Sequence, residues 1–355
     1  MLSGKQFNET YPNRKVVKLT VENNCHNNFQ YKEGLNVLNE KFNPNPVCGP
    51  GGLYCCFEKH FGNWIGYNNM IMANMWDVII PNDAQVVVMD NKIKTDKFIL
   101  SNMRDLMTPE LLMKAVTQNG YALEYVPKLL MTQSLCLVAV KHNGLVLEYV
   151  PEPLNTLDMC LVAVKQDGYA LRYVPETLKT PEVCLAAVTQ NGHALRYVPE
   201  PLMTPELCLV AVTQYGRALY YVPETSKTPK MCLTAVTQNG YALCHVPDEL
   251  KTSKMCLAAV TQNGRVLCHV PEPLKTTEVC LAAVTQNGYA LEYVPETLKI
   301  QSLCLAAVTQ NGRAMCYVPY ELKTQSMCLM AVTQNGRALE YVPEPLKIQS
   351  MCLKH

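Results

Sequence analysis

Several things are scarce in this chain of 355 residues. It has no apolar run near the ~18 residues of a transmembrane helix, so no membrane-spanning segment is expected. The opening MLSGKQFNETYPNRK is polar and lacks the apolar core of a secretory leader. Net charge is scarce too. The 31 Lys and Arg face 30 Asp and Glu, with 11 and 10 up to residue 106 and 20 of each beyond it. A balanced chain lacks the positive footprint of a nucleic-acid groove or of a surface that binds anionic lipid. Catalytic signatures are also missing: there is no G-x-x-x-x-G-K-[ST], no G-x-S-x-G and no H-E-x-x-H.

Apolar residues make up 48% of the chain and charged residues 17%, which is a globular composition. Seventeen cysteines raise the question of a disulfide framework, and their spacing answers it. Ten of them, from Cys136 to Cys352, recur every 24 residues inside one apolar pattern. A small residue repeated in a core fits that pattern, in a reduced, cytosolic chain.

The dominant feature is repetition. Ten glycines, from Gly120 to Gly336, stand 24 residues apart without an insertion. The unit at 180–203 reads TPEVCLAAVTQNGHALRYVPEPLM. Thr180 suits an N-cap, Pro181 the first helical position, and Glu182 the positive end of the helix dipole. Val183, Cys184, Leu185, Ala187 and Val188 then form an apolar stripe at helical spacing. Asn191-Gly192 reads as the helix end, with the glycine left-handed. A short second helix, HALRYV, follows and stops at Pro199. One such helix–turn–helix cannot bury its own stripe, whereas ten stacked in register can, which is the logic of a solenoid.

The stretch VCLAAVTQNGYALEYVPETLK (279–299) resembles an uncharacterised helical repeat family with an AV-x-x-NG-x-AL core, found in giant DNA viruses and some protists. The resemblance covers 108–355 and implies an α-helical array without enzymatic activity. Proline after Tyr-Val departs from that family and implies a shorter second helix.

Residues 1–106 do not repeat. KVVKLTVE (15–22), DVIIP (77–81), AQVVVMD (84–90) and KFILS (97–101) read as strands separated by Asn-, Pro- and Gly-rich turns. A small strand-rich α+β domain is the natural reading. Five pieces carry a second resemblance: GLN (34–36), FNP (42–44), CGPGGLY (48–54), IPNDAQV (80–86) and KTDKFIL (94–100). They are similar to the module that precedes ankyrin arrays in giant-virus proteins. That resemblance implies a viral multigene family in which one module stands before different arrays. It carries over no functional residue.

Cys25, His26, Cys48, Cys55, Cys56 and His60 are the residue types of a zinc site or a Cys–His nucleophile. They lack the C-x2-C pairing of zinc ligands, and core cysteines account for them. Cys244-His245 and Cys268-His269 share one slot in neighbouring repeats. Stacked helices ~8–10 Å apart leave a long reach for one tetrahedral ion. No metal and no cofactor is expected, and the glycine-rich stretch at 48–54 reads as a turn before a strand.

The variable slots are more informative. One residue after the glycine stand Tyr121, Tyr169, His193, Arg217, Tyr241, Arg265, Tyr289, Arg313 and Arg337. Three residues further on stand Arg172, Arg196 and Tyr220, with Glu or Cys in the other copies. Positions i and i+3 share a helix face, so these residues line one ridge, and Tyr and Arg are hot-spot residue types. Eight residues after the glycine an acid recurs, as in Glu224 and Asp248, with lysine three further on, as in Lys227 and Lys251. That edge reads as a solubility feature with weak pairing, roughly a few tenths of a kcal/mol each.

The array stops at MCLKH (351–355), half a unit that either caps Ala331 and Val332 or offers a surface for self-association. The expected architecture is mainly α: a strand-rich domain over 1–106, then an α-solenoid of ten 24-residue repeats over 107–355. The expected role is a non-enzymatic scaffold of a giant virus, in the host cytoplasm or the virion, with a host or viral protein partner. Nucleic acid and membrane are not expected as partners. Two alternatives stay open: a self-assembling virion component, and an amino-terminal enzyme targeted by the array.

Overall fold

A computed structural model describes residues 1–26, 29–47, 49–67, 70–348 and 351. Cys48, the His26 side chain, Cys352 and most of the terminal half-unit therefore lie outside the described residues. The chain forms two compact units, Met1–Leu178 and Lys179–His355.

The first unit opens with an eight-stranded sheet. Its order is Leu2–Ser3, Gln85–Val88, Ile93–Thr95, Leu53–Phe57, Val16–Thr20, Asn74–Ile79, Lys97–Asp105 and Gly34–Val37, every pairing antiparallel. Alternate residues of these strands point to one side, as the two-residue period of a pleated strand requires. Val16, Leu53, Phe57, Trp76, Val86 and Phe98 thus bury with Phe7 of the helix Gly4–Thr10. The strand Val16–Thr20 is buried at all five positions, which carries Lys18 inside with its neighbours.

Ten helices of ten residues follow, Pro109–Gln118 to Gln325–Gln334, three in the first unit and seven in the second. In the unit from 180, the Thr180 hydroxyl accepts the Val183 N–H at 3.3 Å, and Pro181 begins the helix. Val183, Cys184, Ala187 and Val188 are fully buried. Leu185 does not belong with them. It lies on the opposite side of the turn and is 47% exposed.

Each helix leads into a tight 3-10 helix, such as Gly192–Tyr197, and then a second 3-10 turn, such as Glu200–Leu202. A unit therefore has three helical pieces where two were expected. Pro199 ends the first 3-10 piece and its carbonyl accepts the Leu202 N–H, which starts the next.

The left-handed glycine expected at the helix end is not found. Among the described glycines only Gly34 and Gly51 have positive φ. Asn191 leaves the helix with φ −151° and ψ 113°, and its side chain accepts the His193 N–H at 3.0 Å, capping the 3-10 helix. The repeat glycine is needed for closeness instead. A Cβ on Gly264 would stand 2.2 Å from the Ala283 carbonyl oxygen of the next helix, and one on Gly192 would stand 2.5 Å from that of Ala211.

The lysine edge is more than a solvated surface. The Lys227 side chain is only 3% exposed; its ammonium donates to Glu224 at 2.5 Å and to the His245 carbonyl of the next repeat at 2.8 Å. Lys251 does the same with Asp248 and the His269 carbonyl. These lysines fasten one repeat to the next. A carbonyl at the end of a 3-10 helix lacks an internal partner, and the ammonium satisfies it.

The periodic cysteines from Cys136 to Cys328 are free and buried. Burial pushes their thiols up, to about 11 at Cys136, Cys160, Cys208, Cys280 and Cys304.

Candidate functional site

The site grows out of the TQNG phrase. In the second unit four Gln side chains, Gln238, Gln262, Gln286 and Gln310, stitch adjacent repeats at both of their ends. Gln286 Oε1 accepts the Gly264 N–H at 2.6 Å, and its Nε2 donates to the Gln262 carbonyl at 3.2 Å. Gln262 and Gln310 repeat the pattern on Gly240 and Gly288. A close approach at glycine is thereby locked by two hydrogen bonds per interface.

Asn has a different task. Asn263, Asn287 and Asn311 use Oδ1 to cap the 3-10 helices, accepting from Arg265, Tyr289 and Arg313 at 3.0, 3.1 and 3.0 Å. With the oxygen so placed, the amide NH2 of each half-exposed Asn is not used by the cap. It has no acceptor among the described residues. One donor pair per repeat results, at the spacing of the stack.

These amides line an open groove of about 540 Å³ with Gln262, Gln286, Gln310 and three ridge residues, Tyr241, Arg265 and Tyr289. Arg265 holds its guanidinium 5.9 Å from the Tyr289 ring centroid, and Tyr289 meets Tyr317 edge-on at 6.4 Å. Tyr241 and Arg265 are exposed, and Tyr289 is half-buried.

The other ridge positions are distributed differently. Tyr121, Arg172, Arg196, Arg217, Tyr220 and Arg337 are exposed, whereas Tyr169, His193 and Arg313 are half-buried. His193 stacks on Tyr215 with centroids 3.5 Å apart, and burial, aided by Arg196 and Arg217, lowers its pKa. Arg172 and Arg196 lie over Tyr173 and Tyr197 at 4.7 and 5.0 Å. Tyr220 contacts Tyr221 and His245. Within a 3-10 helix side chains at i and i+3 eclipse, so the two series stand on one face of each segment. Spacing assigns Asn-Gly to a helix end and so does not reveal the Asn and Gln members of the groove; the recurrence of TQNG across the copies is the signal that could.

Among the described residues no three His, Cys, Asp or Glu side chains gather as metal ligands. Cys55 and Cys56 are buried, with both thiols pushed up by desolvation, Cys56 to about 12. Such thiols resist becoming the thiolate that a metal or a nucleophilic mechanism needs. Among the described residues no helix is long and apolar enough to cross a membrane.

Comparison with known proteins adds to this geometry. The domain of unknown function DUF4116 matches the chain in overlapping stretches, 108–155, 133–179, 156–203, 180–227, 204–251, 229–275, 252–299 and 302–347. An uncharacterised protein of Acanthamoeba polyphaga mimivirus is 30% identical over 136 residues, covering 32% of this chain and 95% of the relative. A putative ankyrin repeat protein of the same virus is 28% identical over 122 residues, covering 32% of this chain and 59% of the relative. No solved structure matches.

Proposed function

We propose that this chain, which belongs to the DUF4116 family of repeat proteins and has relatives in a giant virus, is a scaffold that holds an extended segment of a protein partner. One observation carries the reading. Tyr241, Arg265 and Tyr289 share a groove with Asn263, Asn287 and Asn311, one half-exposed amide side chain per repeat. An extended peptide offers carbonyls at regular intervals, and side-chain amides at regular spacing suit them. Tyrosine and arginine supply rigid, amphipathic contact area for the partner's side chains. A protein partner also accords with the mimivirus relative named as a putative ankyrin repeat protein. The setting that goes with such relatives is an infected host's cytoplasm or the virion.

The test uses a displayed library of random peptides, selected on the full chain and on a Y241A/R265A/Y289A variant checked by circular dichroism. Peptides captured by the wild type should bind the folded variant at least tenfold more weakly, since each hot-spot truncation costs about 1–2 kcal/mol or more. Equal capture by both proteins rejects this groove as the binding face.

A further inference from the structure

The amino-terminal sheet holds a second cavity, unrelated to the repeat groove. It measures about 520 Å³, within the range that holds small organic ligands. Its walls are mainly apolar and aromatic, including Leu19, Leu38, Leu53, Met72 and Trp64.

Among the charged residues of the lining, Lys18 is the buried one and does not match such walls. Lys18 is 4% exposed, in the middle of a strand buried at every position. Its ammonium stands 4.4 Å from the Tyr31 ring centroid and finds no acceptor among the described residues. The carboxylate that lines the same cavity, Glu40, is engaged elsewhere and accepts the Gly51 N–H at 2.8 Å. Desolvation lowers Lys18 to about 8, against the opposing influence of Cys55 and Cys56. A second buried lysine stands two strands away, on Ile93–Thr95 beyond Leu53–Phe57. Lys94 is fully buried, its Nζ has no hydrogen-bond partner among the described residues, and its stem packs so closely on Gly52 that a Cβ there would meet Cε at 2.4 Å.

A buried cation without a counter-charge is unfavourable unless something supplies that charge. Elsewhere in this chain buried lysines are paired, as Lys227 is with Glu224 and the His245 carbonyl. We propose that the cavity binds an apolar monoanion, a carboxylate on an aliphatic or aromatic body, with its head at Lys18 and its body against the apolar walls. A single carboxylate fits the one unpaired ammonium of the lining, and the face of Tyr31 beside it stabilises the cation without neutralising it.

The test titrates the full chain with decanoate and with 1-decanol, below micelle formation, following Trp64 fluorescence and heat. Decanoate is expected to bind one to one. Lys18→Met keeps the stem and removes the charge, so it should weaken decanoate at least tenfold and change decanol less than twofold. Raising the pH from 7 to 9 should weaken decanoate binding to the wild type as Lys18 discharges. Cys55, Cys56 and Tyr31 face Lys18 and are held protonated past that window by burial. Glu40 and Lys92, the other charged groups of the lining, are unchanged by the K18M substitution. Equal binding of both probes by the wild type, no binding of either, or decanoate binding indifferent to Lys18→Met overturns the proposal. Should that variant fail to fold, Leu38→Trp fills the cavity from its loop wall. Abolished binding of both probes together with the pH effect then supports the proposal, and retained binding overturns it.

Discussion

The sheet and the repeats treat buried lysine in opposite ways. In the array the buried ammonium is engaged, and at Lys227 and Lys251 it is taken twice, by an acid three residues back and by a carbonyl of the next repeat, so its charge is part of the joint between units. In the sheet Lys18 and Lys94 are as deeply buried, and no acid among the described residues pairs with either. Among the described residues the left-handed glycines belong to the sheet domain alone. Gly34 stands in open space and is held at φ +87°, a conformation few other residues adopt, whereas Gly264 has an ordinary φ and no room. The array thus uses its unusual residues to bring neighbours close. The sheet packs Gly4 and Gly52 closely too, and in addition uses Gly34 to shape a turn and Lys18 to line a cavity.

Alkaline pH should separate the two regions most. Unfolded thiols release their protons near 9, while buried Cys136, Cys160, Cys208, Cys280 and Cys304 hold theirs to about 11. The folded state then binds more protons than the unfolded one, so the array loses stability as pH rises from 9 to 11. Lys18 acts in the other sense: folded, it discharges near 8, and unfolded, near 10.5. Between those values the unfolded state holds the extra proton, so this lysine makes the sheet gain stability and offset the losses at Cys55, Cys56 and Tyr31. Each tenfold difference in proton affinity is worth about 1.4 kcal/mol, and the array sums several thiols. Urea midpoints followed by helical circular dichroism should fall steeply over this window. Midpoints followed by the two tryptophans, Trp64 and Trp76, should fall less. Parallel falls would erase the contrast.

A smaller effect comes from glycine replacement. Gly264→Ala forces a methyl against the Ala283 carbonyl and should cost about 1–3 kcal/mol, with Gly264→Asn worse. Gly34→Ala should cost about 1 kcal/mol through its φ alone, and Gly34→Asn less, since Asn tolerates that region. Denaturant unfolding of the four variants checks the order, and the same ranking of Ala and Asn at both sites contradicts the explanation.

The smallest change is a gain. Ile300 occupies the cap position of its helix without a side-chain bond, where Thr276 and Thr324 make one in the units on either side. Ile300→Thr should raise stability by about 0.5–2 kcal/mol in the same unfolding measurement.

What the sequence made legible was local. The Thr–Pro cap of Thr180 closes over three residues, and Cys184 and Val188 lie one turn apart, so composition and spacing suffice for them. The 24-residue period likewise places Tyr241, Arg265 and Tyr289 along one line. What escaped depends on distance. Gln286 meets Gly264 from 22 residues away, and Lys227 turns inward for a carbonyl 18 residues further on. Leu185 reads as core until the width of the stripe is known. The Lys18 cavity joins residues 17 to 92, with walls from several strands and the loop at 38–52. No window of sequence contains it.

The two hydrogen bonds by which each Gln joins its neighbours have a consequence for heredity. Because Gln262, Gln286 and Gln310 make equivalent joints, the loss or duplication of 24 residues between them rejoins like surfaces. Unequal recombination within such a gene changes its length in whole units and redesigns no joint. Each added unit brings one more asparagine and one more variable side chain at the same place in the repeat, so the array's surface grows by copying before any residue has to mutate.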